Sequence, residues 1–273
     1  MNRSVAVSAS PRVRDRLRSA GDGARAVVHA GRHAVYVDLD GWCLGVVGRD
    51  AAQVPNALRV AAPDLAGFEG ATGSSTGVAA SVAASVAASV TAFVAGGVLH
   101  LGGTPLRIGR LVEVRVPRLE PRGVPLDHLA AVPSEVAGFA RECGLSPEAH
   151  RPLGPDDVAR LVGRGGGLTP LGDDLLCGWL ATQRAAGRAT PAVDAAVLAL
   201  LASTTLLSAT LLDCALHGEV VPEFADYLAA VATSDEPHRA AALAAVGHTS
   251  GAGLLLGALL ARTELDHANG VAA

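Results

Sequence analysis

The chain has 273 residues, of which 50% are hydrophobic but only 3% aromatic, and its formal net charge is −4. It contains no lysine, so all 22 residues counted as Lys or Arg are arginines, which excludes a Schiff-base lysine, a P-loop lysine and a biotinyl lysine. The charge balance gives no basic footprint for nucleic acid, and four widely spaced cysteines without a CxxC pair predict reduced thiols in a cytoplasmic protein.

The first 25 residues are rich in arginine and lack an apolar core, so we predict a flexible N-terminal arm over 1–25 and no secretory signal. Two β-rich runs follow, "HAVYVDL" and "WCLGVVG". Asp40-Gly41 separates them and is a favourable pair for a tight hairpin turn. The sequence therefore predicts an antiparallel hairpin here.

A repeated VAAS unit follows, with valine at every fourth position from Val78 to Val90. Alanine and a period of four favour a helix, although valine and alanine also alternate at a period of two, and a low-complexity insertion without function stays open. "VLHL", "LRI" and "VEVRV" then return to strand character. These segments make 26–133 a predicted β-rich region.

Residues 134–265 are predicted to be all-helical, with Ser134 as the first N-cap and a short tail over 266–273. The fold class is therefore α+β. The segment 195–212 has no charge and reaches the lower limit of a membrane span, but it is rich in Ser and Thr and has no companion. We predict a helix buried in a bundle or an oligomer interface, and no membrane.

The stretch "GRGGGLTPLGDDLLCG" begins at Gly163 and is the most unusual in the chain. Thr169-Pro170 is typical of an N-cap followed by proline in the first turn, and free N–H groups there favour an anion. Gly166 and Gly167 let the backbone approach a ligand, and Arg164 supplies positive charge. Neither the Walker pattern nor a strand before a GxGxxG motif is present.

Asp173 and Asp174 follow directly, and three interpretations stay open: stabilising the helix dipole, holding a hard cation such as a divalent metal, or acting as a base. Successive helical residues point about 100° apart, so at most one of the two would contact a single ion.

A second element, "GHTSGAGLLLG", repeats this design from Gly247. Thr249 or Ser250 is placed to cap the helix that follows, and His248 is either a cation at the end of the previous helix or a proton-transfer group. Between the two elements, Thr204 and Ser208 share one helix face. They either bond back to the backbone or line a pocket floor.

"GLTPLGDDLLCGWL", "TTLLSATLLDCALHGE" and "VGHTSGAGLLLGAL", in this order, resemble the DUF2877 family, which includes the AllH-type subunit of bacterial oxamate carbamoyltransferase. The resemblance covers about 150–262, and Leu171 stands where the family core has serine. It implies work with other subunits in allantoin breakdown, where oxalurate and phosphate are exchanged for oxamate and carbamoyl phosphate. The matching positions are Gly167, Thr169, Pro170, Gly172, Asp173, Asp174, Gly247, His248, Ser250 and Gly251.

These observations predict a carbamoyltransferase-type subunit in which both glycine-rich loops converge on one pocket for a small carboxylate or carbamoyl compound. The expected catalytic residues are Asp173, Asp174 and His248, with the two aspartates also the candidate metal ligands. The expected substrate-binding residues are Arg164, Gly166, Gly167, Thr169, Thr249, Ser250 and Gly251. A non-catalytic structural or ligand-sensing subunit is the alternative.

Overall fold

The computed structural model describes residues 4–68, 90–119, 132–146, 151–268 and 270. The chain divides into two compact units, Met1–Glu113 and Val114–Ala273. The first unit carries all the described strands and the second carries all but one of the described helices, which confirms the α+β class. The division falls about 20 residues before the predicted boundary at 133, and the VAAS repeat lies outside the described residues.

The first unit, which we call the β unit, contains one nine-stranded sheet in the order β2-β7-β8-β9-β1-β6-β5-β4-β3. Neighbouring strands are antiparallel except for β1 with β9 and β5 with β6. The strands are β1 (Val5–Ala9), β2 (Gly23–Arg25), β3 (Val27–Ala30), β4 (Ala34–Leu39), β5 (Trp42–Val47), β6 (Ala57–Val60), β7 (Ala92–Ala95), β8 (Val98–Leu101) and β9 (Thr104–Leu111).

The prediction of a flexible arm over 1–25 is wrong. β1 lies in the middle of the sheet, between β9 and β6, and helix α1 (Pro11–Ser19) follows it. Four of the arginines that suggested an arm lie on the other faces of α1, while Val13 and Leu17, four residues apart, are buried. An amphipathic helix with a narrow apolar stripe therefore resembles a charged tail in composition alone.

The predicted hairpin is confirmed as β4 and β5. Asp40 and Gly41 both have positive φ, 55° and 83°, as a two-residue turn of this kind requires. The Gly41 N–H donates to Asp38 Oδ1 at 2.7 Å, which fixes the turn. The prediction of a strand at "VEVRV" (112–116) is wrong. β9 ends at Leu111, and within 112–116 only Arg115 pairs in strand fashion, through an isolated bridge to Glu219.

The second unit, the helical unit, begins its helices at Ser134 as predicted, although Pro133 rather than Ser134 is the N-cap. Its last helix continues to Ala268, beyond the predicted start of the tail. The helices are α2 (Ser134–Glu142), α3 (Pro155–Leu161), α4 (Leu171–Ala185), α5 (Pro191–Leu200), α6 (Leu206–Leu216), α7 (Pro222–Ala230), α8 (Glu236–Ala244) and α9 (Ser250–Ala268).

The uncharged segment 195–212 is interrupted by a 3₁₀ turn, Leu201–Ser203, between α5 and α6. Within the described part of the chain, no helix combines the length and the apolarity that crossing a bilayer requires. Only Val193 and Val197 of α5 are buried and Leu198 is 55% exposed, so the prediction of a helix buried in the bundle is wrong for α5, while burial in an oligomer interface stays a prediction.

Helices α4 and α9 form the centre of the helical unit, and for α9 this is the burial that its uniformly apolar sequence predicts. Glycines hold the two backbones at close range. A Cβ on Gly178 would lie 2.0 Å from the Leu254 carbonyl oxygen, and one on Gly257 would lie 2.0 Å from that of Leu175. Both motifs singled out in the sequence begin these two helices, so this close packing brings the two helix starts side by side.

Candidate functional site

Helix α4 begins one residue later than the sequence predicts. Its N-cap is Pro170, and the N–H groups of Asp173 and Asp174 both donate to the Pro170 carbonyl oxygen. The prediction of Thr169 as N-cap is therefore wrong, and its hydroxyl is available for another partner. The preceding loop needs its glycines: Gly163 has φ 71°, and a Cβ there would lie 2.4 Å from the Ser203 carbonyl oxygen.

Asp173 is fully buried and its carboxylate is fully occupied. Oδ1 accepts a hydrogen bond from the Gly163 N–H at 2.8 Å, and Oδ2 accepts from the Ser208 hydroxyl at 2.7 Å and from the Thr204 hydroxyl. These bonds join the glycine-rich loop, the start of α4 and the start of α6. Asp173 thus acts as a clamp that sets the path of the loop.

Asp174 is also buried, at 4% exposure, but its surroundings differ. No hydrogen-bond donor of the described residues meets its Oδ2. The pKa of Asp174 is raised to about 8, chiefly by burial; the neighbouring Asp173 charge acts in the same direction, and hydrogen bonds from the Ser250 and Thr169 hydroxyls act in the opposite direction. Asp174 is therefore a neutral carboxylic acid at pH 7, with one oxygen that lacks a partner.

The two sequence motifs meet beside Asp174. The Thr169 and Ser250 hydroxyl oxygens lie 2.8 Å apart, a hydrogen bond between residues 81 positions apart in the chain. Ser250 is the first residue of α9, and the next residue, Gly251, is buried. The carboxyl of Asp174 and these two hydroxyls form what we call the acid–hydroxyl cluster.

The glycine-rich loop is exposed where the sequence predicts anion binding. Arg164, Gly166 and Gly167 are exposed, and the Arg164 guanidinium lies 5.8 Å from the centroid of the Phe139 ring. The helix-terminal N–H groups, however, are largely occupied. Those of Asp173 and Asp174 bond to Pro170, and that of Gly172 donates to the Arg164 carbonyl oxygen at 2.9 Å. An anion here would rely on the Arg164 side chain more than on the helix terminus.

The second motif separates into an exposed and a packed part. His248 is exposed and Thr249 half-buried, with the Thr249 carbonyl oxygen accepting from the Gly253 N–H. Gly251 serves packing, because a Cβ there would lie 1.9 Å from the Leu243 carbonyl oxygen. Of this motif, Ser250 is the side chain that reaches the acid–hydroxyl cluster.

The geometry gives a metal site at Asp173 and Asp174 no support. Hard divalent cations take six or more oxygen ligands, or several waters with one or two carboxylates. Both Asp173 oxygens already accept protein hydrogen bonds. Throughout the described ranges, no three His, Cys, Asp or Glu side chains are grouped so that they could hold a metal ion.

Sequence reasoning found Thr204 and Ser208 as a pair but not their partner, Asp173. It missed Glu264 altogether. This half-buried carboxyl on α9 accepts from Trp179 Nε1 and from the Leu153 N–H, both at 2.9 Å. Burial raises its pKa to about 7. Nothing in the local sequence around Glu264 indicates these hydrogen bonds, because the two donors lie 85 and 111 positions away.

Comparison with known proteins supports an AllH-like family assignment. The family described as oxamate carbamoyltransferase subunit AllH matches residues 161–262, a stretch that contains both motifs, the central helix α4 and most of α9. The resemblance stated from the sequence is thereby confirmed. No curated protein and no solved structure gave a significant match.

Proposed function

We propose that this chain is an AllH-like subunit of a carbamoyltransferase-type enzyme that acts on small carboxylate or carbamoyl compounds in allantoin and oxalurate breakdown. The family match over residues 161–262 supports this proposal. The enzyme would work in the cytoplasm together with other subunits, and four free, buried cysteines are typical of a reducing compartment.

The observation that carries a catalytic role is the acid–hydroxyl cluster. A buried carboxyl without a full set of partners costs stability, and proteins tolerate such groups mainly where they serve a function. Asp174 combines an unpartnered Oδ2 with a pKa raised by burial to about 8. It lies at the start of α4, next to the hydroxyls of Thr169, just before α4, and of Ser250, at the start of α9.

An acid of this kind suits the proposed transfer. A phosphate oxygen forms a bond to the carbamoyl carbon of oxalurate, and the bond from that carbon to the oxamate nitrogen breaks. Protonated Asp174 gives its proton to the departing nitrogen and takes up the proton of the attacking hydrogen phosphate. Oxamate and carbamoyl phosphate result, and Asp174 is protonated again. General acid catalysis of this type contributes about 10²- to 10⁴-fold.

The remaining predicted residues would act around this acid. Arg164 would bind the substrate carboxylate through its exposed guanidinium, with Gly166 and Gly167 leaving room for the ligand. The Thr169 and Ser250 hydroxyls would orient the carbamoyl group. His248, two residues before Ser250 and exposed, would exchange protons with solvent.

The alternative is a non-catalytic subunit in which the same loops form an interface. One observation favours it: the Asp173 carboxylate and the N–H groups of Gly172, Asp173 and Asp174 already have hydrogen-bond partners within the chain. The exposed Leu168, at 41%, is an apolar side chain on the loop that a partner subunit would cover.

The deciding experiment assembles the full chain with the other subunits of the enzyme and follows oxamate formation from oxalurate and phosphate. Asp174→Asn should lower kcat by about 100-fold without changing assembly. In the wild-type complex, kcat should fall as the pH rises above about 8, because Asp174 then loses the proton that it donates. The exposed Asp156 on α3 provides the control, since Asp156→Asn removes one carboxylate that is not part of the cluster.

A complex in which Asp174→Asn keeps full activity would establish the non-catalytic alternative. A chain that neither assembles with the other subunits nor alters their activity would overturn both versions of the proposal.

A further inference from the structure

The β unit contains a cavity of about 510 Å³ whose charged lining is entirely arginine. It lies beside the open edge of β9, because β8 pairs with β9 only as far as Leu106 while β9 continues to Leu111. None of its lining residues carries a carboxylate. The residues that matter here are Arg14, Arg18, Gly96, Gly97, Arg107 and Arg110.

A bulge in β9 places two of these arginines together. In regular strand geometry residues 107 and 110 would point to opposite faces of the sheet. The pairing with β1 shifts by one position, so that Ala6 lies opposite Arg107 and Ser8 opposite Arg110. Because Ala6 and Ser8 are two residues apart on β1, Arg107 and Arg110 share a face, and Gly109 is the extra residue.

The β7–β8 turn brings the other arginines to the same cavity. Gly96 and Gly97 have positive φ, 55° and 73°, and a Cβ on Gly97 would lie 3.3 Å from the Arg18 Cα atom. The turn therefore packs directly against the end of α1. Asp22, an acid near this turn, has its Oδ1 occupied by the Gly96 N–H at 2.8 Å.

The positive charge at this cavity is only partly neutralised. Arg14 pairs with Asp15 at 2.7 Å, and Asp15 also interacts with Arg18. Arg107 and Arg110 form no ion pair with any described residue, and both are exposed. The β unit as a whole has eleven arginines and eight carboxylates, whereas the full chain has a net charge of −4.

A second cavity, of about 600 Å³, adjoins the first and shares Gly109 and Arg110 with it. It adds Arg49, Arg59 and Gln53 to the lining, with Arg59 donating to the Gln53 carbonyl oxygen at 2.8 Å. Arg110 thus stands between two concave surfaces that are both rich in arginine, so a ligand with more than one anionic group would find donors on either side.

We propose that the cavity lined by Arg14, Arg18, Arg107 and Arg110 binds the phosphoryl group of a small molecule. The planar guanidinium donates two parallel hydrogen bonds to phosphate oxygens, and a dianion matches the two unpaired arginines. The volume falls within the usual range of small-molecule sites. In a chain without lysine, clustered arginines are the principal means of holding such a group. This site is independent of the acid–hydroxyl cluster and of the function proposed for it.

Calorimetric titration of the purified full chain tests the proposal, with inorganic phosphate and ATP as separate probes. Arg107→Gln combined with Arg110→Gln should weaken binding about 100-fold, since losing one charge-assisted contact corresponds to about tenfold. Binding should also weaken as salt concentration rises. The two probes distinguish a site for free phosphate from one for an organic phosphate.

The matched control is Arg32→Gln combined with Arg239→Gln, two exposed arginines outside the cavity that remove the same total charge. It should leave affinity within about twofold, and unchanged thermal unfolding of both double variants verifies their fold. The proposal is overturned if neither probe binds, if Arg107→Gln combined with Arg110→Gln weakens binding no more than the control does, or if a short RNA binds while both probes fail.

Discussion

Two adjacent carboxyls at the start of α4 have opposite surroundings. On the Asp173 side, three donors from two other segments satisfy both oxygens. On the Asp174 side, one oxygen has no donor among the described residues, and burial keeps the group protonated at neutral pH. Because successive helical residues point about 100° apart, one turn of helix supplies both a structural clamp and a buried acid with an unpartnered oxygen. Neighbouring residues of one type therefore need not share one role.

Replacing the clamp should have the largest effect. Asp173→Ala leaves the Gly163 N–H and the Thr204 and Ser208 hydroxyls without their acceptor in a buried position. We expect the free energy of unfolding to fall by about 4 kcal/mol, measured by urea denaturation. Asp156→Ala, at an exposed position in the first turn of α3, should cost less than about 1 kcal/mol. Equal losses in both variants would remove the distinction drawn for Asp173.

The next largest effect, that of Asp174→Asn, should be an increase in the free energy of unfolding. Asp174 has a pKa of about 8 in the folded chain against 3.8 for the unperturbed group, so the folded state retains a proton that the unfolded state has lost between these values. The contribution of Asp174 to the free energy of unfolding therefore declines as the pH rises from about 4 to about 8. Asp174→Asn removes this cost and should raise the free energy of unfolding at pH 7, by up to about 4 kcal/mol.

This gain should shrink towards zero as the pH approaches 4, where wild-type Asp174 is protonated in both states. Denaturation of wild type and variant across pH 4 to 8 measures it. A variant that is less stable than wild type at pH 7 would show that Asp174, like Asp173, is held by interactions that require its charge.

The smallest effect should come from the hydroxyl pair beside Asp174. Thr169→Val and Ser250→Ala each remove one side of a single half-buried hydrogen bond. We expect each to cost about 1 kcal/mol in unfolding free energy, and the double variant to cost clearly less than their sum. A thermodynamic cycle of the four proteins gives the coupling, and strict additivity would show that the two motifs do not interact through this pair.

Local patterns predicted well wherever the signal lay in a few neighbouring residues. The Asp40-Gly41 hairpin followed from turn chemistry, and the starts of α4 and α9 followed to within two residues from their glycine-rich motifs. The start of the chain failed for the opposite reason. β1 is stabilised by β6 and β9, which lie some 50 and 100 positions away, and its five residues give little strand signal of their own.

At the candidate site, too, the local sequence identified the residues but not their surroundings. The sequence singled out Asp173, Asp174, Thr169 and Ser250, but it assigned Thr169 to a cap and left the two acids equivalent. The environment of each carboxyl depends on α6 and α9, whose positions follow from packing. Glu264 escaped notice because its donors, Trp179 and Leu153, come from distant parts of the chain.

By itself the sequence determined the α+β class, the order of the main elements and the two glycine-rich helix starts, because composition, periodicity and turn residues act over a few positions. Only the tertiary structure decided which aspartate is satisfied and which is left with an unpartnered oxygen. That difference arises from desolvation and from hydrogen bonds between segments far apart in the chain. It depends on the close approach of α4 and α9 that Gly178 and Gly257 allow.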